Sequence, residues 1–90
     1  MNAMGGESMS AMYVVQSYQA GKRGAIVADT PVEARDQVHA KQLAERLASR
    51  KHLVIAFVRE GDAITGDFED PKLIAAFGEL PDELNEMQRM

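Results

Sequence analysis

Leu53-Val54-Ile55-Ala56-Phe57-Val58 is the one run in this chain with no polar residue on either face. Strand side chains alternate, so Leu53, Ile55 and Phe57 point one way and Val54, Ala56 and Val58 the other. Both rows are apolar, which is the pattern of a central strand covered on two sides. The rest of the chain reads as what flanks and covers that strand.

Upstream, Tyr13-Val14-Val15-Gln16-Ser17-Tyr18 is rich in β-branched and aromatic residues and predicts a first strand. Gly21-Lys22-Arg23-Gly24 forms the turn, with glycines to supply positive φ. Ala25-Ile26-Val27-Ala28 returns as the second strand, and Asp29-Thr30-Pro31 ends or bends it. Two helix starts then compete. Thr30 with Pro31 and Glu33 satisfies a capping box, and Asp36 can also cap. Periodicity decides for Asp36, because Ala40, Leu43, Ala44, Leu47 and Ala48 fall in one arc of about 140°. The helix is expected from Gln37 to about Ser49 or Arg50, with Arg46 and Arg50 on its outer side. Val32-Glu33-Ala34-Arg35 is then extended, continuing the second strand past the bend.

Downstream, Arg59-Glu60-Gly61-Asp62 leads into an acidic loop, Ala63 through Pro71. In Lys72-Leu73-Ile74-Ala75-Ala76-Phe77, the residues Leu73, Ala76, Phe77 and Leu80 match helical spacing. The short length and closing Gly78 match a strand. Asp82 through Arg89 suits a short helix, with Leu80, Leu84 and Met87 on one side; at that length it is stable only if packed.

Ala44-Glu45-Arg46-Leu47-Ala48, the apolar strand closing on Arg59 with Gly61-Asp62, Thr65-Gly66-Asp67, and Phe77-Gly78-Glu79-Leu80-Pro81 together carry a likeness. With the Gly21–Gly24 turn, the chain from Tyr13 to Pro81 resembles a group of small uncharacterised bacterial α+β proteins to which no activity is attached. The resemblance implies a strand at Leu73–Phe77, although Ala75-Ala76 is less β-branched than the group's pattern. The expected fold is thus α+β in two layers. It has an antiparallel four-stranded sheet in the order β-β-α-β-β along the chain, one long helix on one face, and a short C-terminal helix. Residues 1–11 are expected as a disordered leader, 12–81 as a single α+β domain, and 82–90 as a tail or short helix.

Ninety residues make one small domain with a limited core. All six methionines lie at positions 1–12 or 87–90, so the 46% hydrophobic content overstates what the middle can pack. There is no cysteine, hence no disulfide framework, thiolate zinc site or cysteine nucleophile. No run approaches the roughly 18 apolar residues of a membrane span, and the N-terminus lacks a signal-peptide pattern. A cytoplasmic setting is expected. Net charge is −4, which argues against a general affinity for nucleic acid. That average hides a split: +3 through Arg59 (eight basic, five acidic) and −7 from Glu60 onward (two basic, nine acidic).

Few residues suggest chemistry. Lys22 and Arg23 on a hairpin tip are the candidate contacts for phosphate or nucleic acid. The acids Asp62, Asp67, Glu69 and Asp70 offer oxygen ligands, but the EF-hand spacing is missing, and no metal or cofactor is expected. His39 and His52 are not spaced as a metal pair. Ser17, Thr30, Ser49 and Thr65 sit on no nucleophile motif, so no catalytic residue is assigned and the chain is expected not to be an enzyme.

The main functional expectation comes from packing. One helix covers one face of a sheet whose central strand is apolar on both. Leaving the other in water would cost roughly 25 cal/mol per Å² of apolar area, a few kcal/mol for several Val- or Ile-sized side chains. The cover must be the C-terminal segment, a second copy or another protein. The expectation is a non-enzymatic interaction module that forms a homodimer through this face, with Val54, Ala56, Val58 and Ile74 at the interface. The alternative is phosphate or nucleic-acid binding at Lys22 and Arg23.

Overall fold

A computed structural model describes residues 9–62 and 64–89. Its sheet is organised around β4 (Leu53–Asp62), which contains the apolar run. On one side β4 pairs antiparallel with β1 (Met9–Ala20), from Tyr18↔Leu53 to Met9↔Asp62. On the other it pairs antiparallel with β6 (Lys72–Gly78), which makes the ambiguous segment a strand. β1 takes in the last three residues of the expected leader, because Met9–Ala11 find register partners in Glu60–Asp62. Residues 1–8, the rest of that leader, lie outside the described residues.

The expected four strands are seven among the described residues. β2 (Ile26–Ala28) and β3 (Val32–Ala34) both pair antiparallel with β1, at Tyr18–Ala20 and Tyr13–Val15. Between them, Gln16 and Ser17 of β1 face three residues, Asp29, Thr30 and Pro31. This is a bulge, and its extra residue turns Val32 and Ala34 to the same side as Val15. β5 (Asp67–Phe68) pairs with Gly61 and Asp62. β7 (Gln88–Arg89) lies parallel to the start of β6, and every other pairing among the described residues is antiparallel. β5 and β7 escape a pattern search because two residues carry no measurable alternation.

A second bulge sits in β6. Ala56 pairs with Ala75 but Phe57 with Leu73, leaving Ile74 extra. Simple alternation would place Leu73, Ala75 and Phe77 together. Instead Ile74, Ala75 and Phe77 pack toward the helix, and Leu73 and Ala76 face the opposite way.

α1 (Gln37–Ala48) starts at Asp36, as its periodicity predicts. The Asp36 carboxylate accepts from the His39 N–H at 2.8 Å, and the His39 Nδ1 accepts from the Arg35 N–H at 3.0 Å. Side chain and backbone thus satisfy each other across the first turn, a variant of the capping box in which histidine replaces the glutamate and reaches the N–H one residue before the cap. Ala40 and Ala44 are 0% exposed against Val15, Ala34, Val54 and Ala56. Their small size lets the helix axis lie close to the sheet, with Leu43 and Leu47 packed alongside.

The second face of the sheet has its own core of Leu53, Ile55 and Leu73. Its cover is intrachain: Leu80, Leu84 and Met87 of the C-terminal tail pack there with Tyr18, Phe57 and Ala76. The tail leaves β6 at Gly78, whose φ is +106°, forms α2 (Asp82–Asn85) and ends in β7. Only glycine serves at position 78, because a Cβ there would lie 2.5 Å from the His52 carbonyl oxygen.

Replacing Asp36 by Ala should remove the helix cap and lower stability by about 1 kcal/mol. Urea denaturation should show this as a lower midpoint with an unchanged slope.

Candidate docking surfaces

Among the described residues, the sheet ends on one side in the broken strand β2/β3, beyond which no further strand pairs. Six large apolar residues are markedly exposed among the described residues, and three of them lie on this edge: Ile26 (40%), Val27 (54%) and Val32 (46%). Register partners share a face. Val27 opposite Gln19 and Val32 opposite Val15 therefore sit on the helix side, and Ile26 opposite Ala20 on the other. An open strand edge with apolar side chains is a template for another strand.

The edge is held in shape by Asp29 in the bulge. Its carboxylate accepts from the Ser17 hydroxyl at 2.8 Å and the Gln19 amide at 2.6 Å, and pairs with the Lys51 ammonium at 3.2 Å. Its N–H donates to the Ser17 carbonyl, and its own carbonyl accepts from the Gln16 amide. Ser17 is the buried polar residue among the described ones, and the bond to Asp29 satisfies it. Lys51 belongs to the connection between α1 and β4, so one carboxylate ties the edge, β1 and the helix end together. The Gln19 amide, the Ser17 hydroxyl and then Lys51 hold the Asp29 carboxyl below its ordinary range.

The structure moves the residues expected at an interface. Val54 and Ala56 are 0% exposed beneath α1, Val58 is 2% exposed in the same row, and Ile74 packs against the helix-side cluster. The face turned away from the helix carries Leu53, Ile55 and Leu73, and the tail lies on it. The assignment of Val54, Ala56, Val58 and Ile74 to the uncovered face is corrected accordingly: their row is the one that receives Ala40 and Ala44.

Lys22 and Arg23 are exposed on a short 3-10 turn, Lys22–Gly24. Arg23 has φ +58° and Gly24 φ +78°. In the acidic loop, Asp62 Oδ1 accepts from the Ile64 and Thr65 N–H groups and so shapes the turn. Ala63 lies outside the described residues. Among the described residues no three His, Asp or Glu side chains are grouped as a metal would require. His39 serves the helix cap, and His52 lies at the opposite end of α1. His52 lines a cleft of about 410 Å³ with Gly24, Ile26, Glu79, Leu80, Pro81 and Asp82. A second cleft, about 360 Å³, lies between the acidic loop (Asp70, Pro71) and the tail (Glu86, Met87, Gln88).

The open edge was outside the reach of sequence reading, since exposure of Ile26 and Val27 depends on where the sheet stops. The Ser, Asp and Gln residues at 16, 17, 19 and 29 are the signal that could have located the bulge. Comparison with protein-family models, curated proteins and solved structures gives no match. Among the described residues, no helix is long and apolar enough to cross a membrane.

A carboxyl whose pKa is depressed by folding stabilises the fold above its unfolded pKa, and that contribution is lost as pH falls through the folded value. The stability advantage of the natural chain over Asp29→Asn should therefore be full at neutral pH. It should shrink on acidification below about pH 4. Urea midpoints of the two chains across that range check this.

Proposed function

We propose that this chain is a non-enzymatic interaction module that pairs with a second copy of itself at the β2/β3 edge. The observation that carries the reading is the concentration of exposed Ile26, Val27 and Val32 on an unpaired strand edge. A two-fold pairing of edges would bury these side chains and satisfy backbone groups that otherwise face water. The bulge and Pro31 limit each run to three residues, so pairing is expected to depend on concentration.

Light scattering on a sizing column should show the mass rising from 9.9 kDa toward twice that value as concentration increases. The double variant Val27→Lys, Val32→Lys should stay monomeric throughout. A monomer at every concentration, or a dimer indifferent to these substitutions, would sink the proposal.

One observation favours a second reading, contact of the hairpin tip with phosphate groups. Lys22 and Arg23 are exposed and no ion pair to either occurs among the described residues. Fluorescence anisotropy with a labelled oligonucleotide should then show binding that weakens with salt and is lost in Lys22→Glu, Arg23→Glu. Absence of binding at low salt would remove this reading.

A further inference from the structure

The cover over the second sheet face is slight in its own structure and specific in its chemistry. α2 is a single turn of four residues whose N-cap, Pro81, makes no side-chain bond to it. A helix that short does not persist without packing. β7 adds two register partners, Lys72↔Gln88 and Leu73↔Arg89. What seats the tail is Leu80, Leu84 and Met87 against Leu53, Ile55 and Leu73, and the three tail residues are only partly buried. Glu79 and Asp82 line one cleft with Gly24 and His52, next along the chain to the cations Lys22 and Arg23.

We propose that this seat also takes the tail of a second copy, so that two chains exchange residues 79–89 and each tail lies on the other chain's β4 and β6. Every chain carries one seat and one segment that already fits it. Exchange therefore conserves each contact and calls for no new complementary surface. The pivot is short: Gly78, held at φ +106°, and Pro81 bracket Glu79 and Leu80, where the chain changes direction. Once lifted, the tail keeps no internal structure that binds it to its own chain. Its apolar residues are satisfied by a seat, its own or a neighbour's. This exchange needs no pairing of the β2/β3 edge: Val27 and Val32 lie on the helix side of the sheet, and of the three edge residues Ile26 alone lines the cleft with Glu79 and Leu80.

The chain has no cysteine, so introduced thiols are unique reporters. Lys72 and Gln88 are register partners on adjacent strands, a separation that a disulfide spans. Full-length Lys72→Cys and Gln88→Cys chains, mixed and gently oxidised, should form a mixed disulfide dimer several-fold above a control pair. The control is Lys72→Cys with Lys41→Cys, since Lys41 is exposed on α1. The crosslink should persist when both chains also carry Val27→Lys and Val32→Lys, which separates exchange from edge pairing. A mixed disulfide no more abundant than the control overturns the inference. Its loss in the edge-variant background overturns exchange as an independent contact.

Discussion

Leu53 and Val54 are neighbours in β4, point to opposite faces, and are each 0% exposed. A strand with that property cannot sit at the surface of a two-layer fold; it requires material on both sides. α1 supplies one side with Ala40 and Ala44, and the tail supplies the other with Leu80, Leu84 and Met87. The two covers differ in kind. The helix is twelve residues long, capped at Asp36 and packed over several strands. The tail is a four-residue turn and a two-residue strand, fastened by a few side chains. Near ninety residues, where core burial is limited, the weaker cover is a substantial part of what holds the sheet together.

The length of the strands adds a second asymmetry. β1 has twelve residues and would extend roughly 40 Å, whereas α1 is roughly 18 Å long. The helix therefore cannot shelter the whole ribbon, and the fold is elongated, 51 × 23 × 21 Å. Its remote end relies on local devices. β5 lies so close to β4 that a Cβ on Gly61 would come 2.4 Å from the Asp67 carbonyl oxygen. The Arg59 guanidinium stands 5.4 Å from the centre of the Phe68 ring. The Lys72–Glu60 pair, at 3.8 Å and with both side chains well exposed, adds little.

Much of this was legible in the residues. Asp36 as cap, the span of α1, the apolar centre of β4 and the extended continuation at Val32–Ala34 follow from local chemistry that tertiary structure did not override. What escaped was decided by pairing. Whether Val54 or Leu53 meets the helix depends on which side α1 crosses, and a strand apolar on both faces carries no mark of that choice. Ile74 reads as part of a regular strand until its partner strand shows it to be surplus. Leu80, Leu84 and Met87 were visible as one apolar side, and only their landing place was missing. The candidate docking edge was hidden for a similar reason, because Ile26 and Val27 look like ordinary strand residues until the sheet ends beside them.

The two bulges also say where this chain has slack. Between Ala28 and Val32, and again at Ile74, one strand holds a single residue more than its neighbour can match. Omitting Thr30 or Ile74 would leave every remaining partner opposite the same residue and restore an even ladder. A deletion at Val14 or Ile55 would instead invert everything beyond it, exchanging interior for exterior. Natural length variation in proteins sharing this architecture should accordingly gather at those two points and be scarce elsewhere in the strands.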